Sequence, residues 1–206
     1  MLTFNGWNII SMPATPAAPA SVEFTAEDTV AVSISPFTGQ QQVQDWGASF
    51  LEASVSLPAL THIQAQQWIA FLLALRGQAN VFQLGDPLAV SPQGSGAGAP
   101  LVDGAGQTGY TINLKGFTAS AADVLLPGDW IQIGYRIYRT LIAASADSTG
   151  RLALSIWPQI RESPSDGTAV VLNRTQGLWR LQNNARKWSI SAARVYGMQF
   201  DIREAI

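Results

Sequence analysis

The chain of 206 residues has no cysteine and a single histidine, His62. Without cysteine there are no disulfides, thiolate zinc sites, iron-sulfur clusters or cysteine nucleophiles, and the redox compartment is left open. One histidine removes multi-histidine metal sites and makes any Ser-His-Asp triad depend on that residue alone. Charge is scarce as well: 13% of residues are charged, about half the roughly 25% of a typical soluble domain. Something other than water is therefore expected to cover part of the surface. A net charge of -2 argues against a chain built to grip phosphates, which is usually strongly basic. No run of ~18 apolar residues offers a membrane span, and the first twenty residues lack the basic start and apolar stretch of a secretory signal. The expectation is a soluble product of the cytoplasm with no membrane insertion.

What is present is a long series of strand patterns around one helix. After a proline/alanine lead with Pro13, Pro16 and Pro19, which cannot be helical throughout, Thr29, Ala31 and Ser33 alternate with Val30, Val32 and Ile34. That period of two predicts a half-buried strand, ended by Ser35-Pro36 and Gly39. A second run through Trp46, Phe50 and Val55 completes a predicted hairpin. Thr61 then opens a helix over about 61–76. Gln64 completes a capping box and Gly77 is placed to end the helix in the left-handed conformation. Ala65, Trp68, Ile69, Leu72 and Leu75 form its apolar stripe, widened by Phe71 and Leu73, while Gln64, Gln66 and Gln67 are expected to face water.

Asn80 to Leu84 reads as a strand, and the glycine-rich stretch SPQGSGAGAPLVDGAGQTG that follows has too few large side chains to fix one conformation by itself. From Tyr110 to Leu172 short strand patterns recur between turn signals at Pro127-Gly128-Asp129, Ser148-Thr149-Gly150 and Asp166-Gly167, as in a small antiparallel barrel. The closing stretch adds further strands, with Asn183-Asn184 at an expected hairpin turn. The fold class read from this order is mainly β, one β-domain interrupted by another. Residues 1–90 and 176–206 form the host, 91–109 a glycine-rich link, and 110–175 the inserted barrel; the alternative is two sequential domains.

No pattern carries catalytic chemistry. His62 falls in the first helical turn, and Glu27, Asp28, Asp123, Asp129, Glu162 and Asp166 read as solvated turn positions with no spacing that pairs them. The glycine run lacks the Lys-Ser/Thr ending and the following helix of a phosphate loop. Arg139 and Arg161 read as solvated arginines. The tryptophans read as core or interface anchors.

The order of landmarks carries a resemblance: Trp7 and Ile9 near the start, SPFTGQQQVQDW from Ser35 to Trp46, Ser56-Leu57-Pro58 before the helix, QWIAFLLALRG, then Phe82 and the Leu84-Gly85-Asp86-Pro87 run. PGDWIQIG, SIWPQIRESPSDGT and the closing YGMQFDIREA continue it. The chain resembles tail proteins of long-tailed, non-contractile (siphovirus-like) bacteriophages, in particular the distal tail protein that caps the tail tube. The resemblance implies a homohexameric ring whose host domain is similar to the tube subunit, a β-sandwich or split barrel with a flanking helix. The inserted barrel would be galectin-like or oligonucleotide-fold-like. It implies partners in the tail tube protein, the tail-tip hub and receptor-binding or fibre proteins, with phage DNA passing through the lumen without sequence-specific contact. It implies a place at the distal end of the virion tail, no catalytic residues and no cofactor or metal. Phe37, Trp46 and Phe50 on the first hairpin are the expected subunit interface. The alternatives are a tail tube or other minor tail protein and, from another class, a carbohydrate-binding module stacking sugars on Trp130, Tyr138 and Trp157.

Overall fold

The structure is a computed structural model that describes residues 2–15, 19–192 and 194–206; Pro16 of the proline/alanine lead lies outside the described residues. The architecture is mainly β. Leu2–Phe4 (β1) and Trp7–Ile9 (β2) form a short hairpin, and Ser21–Glu27 (β3) and Val30–Ile34 (β4) run out into a long one. Gln41–Asp45 (β5) and Phe50–Ser56 (β6) return from it, followed by the helix His62–Ala74 (α1) and by Phe82–Leu84 (β7). Gly98–Val102 (β8), Gly109–Phe117 (β9), Trp130–Ile133 (β10), Arg136–Thr140 (β11), Leu152–Ile160 (β12) and Val170–Val171 (β13) come next. Gly177–Leu181 (β14), Trp188–Ile190 (β15) and Tyr196–Glu204 (β16) close the chain.

Apart from the two-stranded pairs β1-β2 and β4-β5, these strands form two larger sheets. The host sheet has the order β3-β6-β16-β14-β7, with β15 beside the first half of β16. Along β16 every second residue from Tyr196 to Glu204 is buried and the residues between are exposed, the alternation of a sheet with one covered face. Trp68, Phe71 and Leu72 of α1 pack on that face, Trp68 with its ring 6.2 Å from Phe200. The helix starts where Thr61 and Gln64 form the expected capping box. It ends through positive φ at both Arg76 and Gly77, where Gln78 N donates to Asn184 Oδ1 at 3.1 Å. Leu73, read as part of the apolar face, is exposed, because the sheet contacts the stripe centred on Trp68 and Leu72.

The second sheet, β13-β10-β11-β12-β9-β8, curls until β8 meets β13: Leu101 bridges Ala169, and Val102 N donates to Thr168 O at 2.9 Å. Its own core holds Ile112, Leu114, Ile131, Leu154 and Ile156. Two readings are corrected here. Part of the glycine-rich stretch 91–109 is the strand β8, built into the barrel. Its glycines serve close approach: a Cβ on Gly98 or on Gly116 would overlap the facing strand's backbone. Asn183-Asn184 is not a hairpin turn, because β14 and β15 both pair with β16 and not with each other.

The sheets meet through β10 and β11, each buried on both faces. Ile131 and Tyr138 point into the barrel core, while Trp130 and Ile137 join the host core. Tyr135 O accepts from Leu178 N at 3.3 Å, and Ala205 N donates to Leu178 O at 2.9 Å. The barrel is thus a second cover for the host sheet.

Candidate assembly surface

The long hairpin leaves the host sheet as an arm. Beyond Glu27, which pairs with Phe50, the strands β4 and β5 pair, among the described residues, only with each other, from Val30 opposite Asp45 to Ile34 opposite Gln41. Side chains directly opposite share a face. Val30, Val32, Ile34 and Val43 therefore make one side of the ribbon, and Ala31, Ser33, Gln42 and Gln44 the other. All ten residues of β4 and β5 are exposed. The alternation was expected to mark a half-buried strand; among the described residues the apolar side has no cover. The reason is visible in QQVQD, a strand whose single apolar residue can meet Val32 but cannot bury it.

The arm is braced at its root. Thr29 Oγ1 donates to Ala48 O at 2.8 Å, Gly47 N to Asp45 Oδ1 at 2.7 Å, and Trp157 Nε1 to Asp28 Oδ1 at 2.9 Å. Gln159 Nε2 donates to Gly47 O. Hydrogen bonds from Ser49 and Trp157 hold the Asp28 carboxyl below its ordinary range. Two residues of β12 thus tie the root to the barrel, so the ribbon is presented in a defined direction despite having no core.

The three expected interface residues are spread along this element. Phe37 sits at the tip, 95% exposed, and Trp46 at the root, 58% exposed. Phe50 lies in the host sheet, half-buried, with the Arg203 guanidinium 4.9 Å above its ring. The structure does not bring the three together. It adds Val30, Val32 and Ile34, which the alternation assigned to a half-buried strand, and Val43, which the sequence did not single out; the glutamine-rich return strand was the signal that it would not bury them.

The aromatic residues considered for sugar stacking are structural. Trp130 and Tyr138 are buried, and Trp157 is half-buried with its indole nitrogen on Asp28. Arg139 covers the Trp130 ring at 4.1 Å. Burial pushes the Tyr138 hydroxyl up to about 12.

Two more expectations change where the sheets meet. Asp129 is buried, accepting from the amides of Gln93, Gly94 and Leu126 at 2.7, 3.2 and 2.8 Å. Arg161 is largely buried against Glu204, 3.3 Å away but off the hydrogen-bonding direction, so that among the described residues both of its terminal nitrogens lack a hydrogen-bond acceptor. Arg136 pairs with Glu162 at 2.5 Å and donates to Ala205 O. His62 stays in the first turn, exposed, with Nδ1 2.9 Å from the Tyr196 hydroxyl. Among the described residues no group of three His, Asp or Glu could hold a metal.

Burial raises the Glu204 carboxyl above the ordinary glutamate value, against the opposing pull of Arg161 and Arg136. A carboxyl raised on folding contributes stability that is present below the unfolded value and is lost as pH rises through the folded one. The wild type is therefore expected to lose stability relative to Glu204→Gln as pH rises from about 4 towards neutrality. Urea midpoints of both proteins at pH 4 to 7 measure this; parallel curves would show that Glu204 ionises as it does in the unfolded chain.

No protein-family model and no curated protein matches this sequence.

Proposed function

We propose that this chain is a non-catalytic structural subunit of the tail tip of a long-tailed bacteriophage. It assembles into a ring, hexameric, at the distal end of the tail tube, and joins the tube to the hub and host-recognition proteins. The host sheet with its helix forms the ring, and DNA passes through the lumen. The barrel faces outward. The observation that carries the assembly part of this reading is the braced arm with an uncovered apolar face. Two-stranded ribbons are marginal in water by themselves, and a contiguous exposed apolar face marks a binding surface. The landmark resemblance supports the identity of the assembly, and the low charge agrees with a chain that must cover several flanks.

Light scattering over a range of concentrations tests it. A six-fold mass is expected for the wild type, with rings in negative stain. Val32→Ser with Val43→Ser should give a monomer whose urea midpoint is unchanged, since exposed substitutions usually alter stability by no more than about 0.5 kcal/mol. A ring that survives both changes would reject the arm as the joining element, and a wild-type monomer at every concentration would reject the assembly reading.

A further inference from the structure

We infer that the arm of one copy seats on the β15 hairpin of the next, joined by opposite charge as well as by apolar contact. This rests on the assembly reading above and names the surface that receives the arm.

The charge is distributed in blocks. From residue 1 to residue 75 the chain has no lysine or arginine, and its acidic residues are Glu23, Glu27, Asp28, Asp45 and Glu52. All but Glu52 are exposed; Glu27, Asp28 and Asp45 lie on the arm or at its root, and Glu23 lies on β3 of the host sheet, opposite Ser54. Asp45 stands opposite Val30, on the apolar side of the ribbon. The stretch 186–195 has the reverse balance, with Arg186, Lys187 and Arg194 and no acid. Among the described residues none of these three, nor Glu23, Glu27 or Asp45, makes an ion pair within the chain.

The basic stretch carries its own uncovered apolar group. Trp188 and Ile190 lie opposite Met198 and Tyr196 and so share the covered face of the host sheet. Both stay exposed, Trp188 at 41% and Ile190 at 62%. The outer edge of β15 pairs with no strand among the described residues. An apolar ribbon with acidic flanks and an apolar strand with basic flanks and a free edge are complementary surfaces.

One copy cannot satisfy both. β15 pairs with β16 at Tyr196 to Met198, whereas β6 reaches Arg203 before it runs on towards the arm. Tyr196 and Arg203 are separated by roughly 24 Å of strand, and the arm continues beyond, its root tied to Trp157 and Gln159. Complementary surfaces at opposite ends of one subunit make a head-to-tail contact, which closes as a ring when the rotation between copies allows it.

Charge exchange tests the pairing. Glu27→Lys with Asp45→Lys on the arm, and Lys187→Glu with Arg194→Glu on the receiving strand, are each expected to give monomers. A 1:1 mixture of the two variants should recover the assembly, because every arm then meets a strand of opposite charge. Since Asp45 also accepts from Gly47 N, Glu27→Lys with Asp45→Asn is the control that keeps that acceptor, and it should weaken association in the same direction. Variants that assemble like the wild type, or a mixture that stays monomeric while each variant has a wild-type unfolding midpoint, would overturn this inference and leave the assembly reading standing. A wild type that never associates would remove both.

Discussion

Trp179→Ala is expected to lower stability by about 3–5 kcal/mol, the range for truncating a buried aromatic. Trp179 is the largest side chain with no exposure at all, and it sits on β14, between β16 and β7. Its ring lies 5.9 Å from Phe24 of β3, and Nε1 donates to Leu84 O at 2.8 Å. Truncation leaves a cavity where these strands share one core and also leaves the Leu84 carbonyl without that donor, a further cost of about 1–3 kcal/mol if no water reaches it. Urea unfolding measures the loss. Trp179→Phe separates the two parts, because it keeps most of the ring and removes only the donor; it should cost about a third as much. A Trp179→Ala loss under 1 kcal/mol would mean that the sheet can close over the gap.

How much of this was legible in the sequence depends on whether the deciding interaction is local. The helix start was, since Thr61 and Gln64 reach each other within one turn. So were the barrel's turns at Gly128, Gly150 and Gly167, all of positive φ. The strand Gly98–Val102 was not: composition says that glycine cannot order itself, and only the facing Gly116 shows why glycine is needed there. Asp129 read as a turn residue because its partners Gln93 and Gly94 lie 36 and 35 residues away.

The same distinction explains the candidate surface. Alternation in Val30, Val32 and Ile34 shows that one face is apolar, but the pattern is identical whether that face meets this chain or another copy. The resolving feature was the partner strand, QQVQD, and the register that sets Val43 against Val32. Phe37 and Trp46, both exposed, stand out in the sequence because large aromatics in a polar hairpin are anomalous by themselves. The strand proposed to receive the arm was not singled out, since Trp188 and Ile190 alternate like any core strand, and only the structure shows that both are exposed.

Gly85→Ala is expected to be as damaging as the loss of Trp179, for a reason that involves no side chain. The chain leaves the host sheet at Leu84 and comes back to it at Gly177, and the two crossings touch: a Cβ on Gly85 would overlap the Thr175 carbonyl oxygen. Backbone cannot rotate away as a side chain can, so one crossing must shift. Moving either crossing disturbs the pairing of β7 with β14, in which Gly177 stands opposite Leu84. It also pulls on Trp179 through its bond to Leu84 O, and on the barrel through Gln176 N, which donates to Gln132 Oε1 at 2.8 Å. A loss of about 3–5 kcal/mol follows from strain of this kind, and it should appear in both sheets at once. Hydrogen exchange makes that visible, with the amides of β14 and of β10 losing protection together. If β14 alone opened while β10 kept its protection, the two sheets would be shown to unfold independently and the touching crossings would not be what couples them.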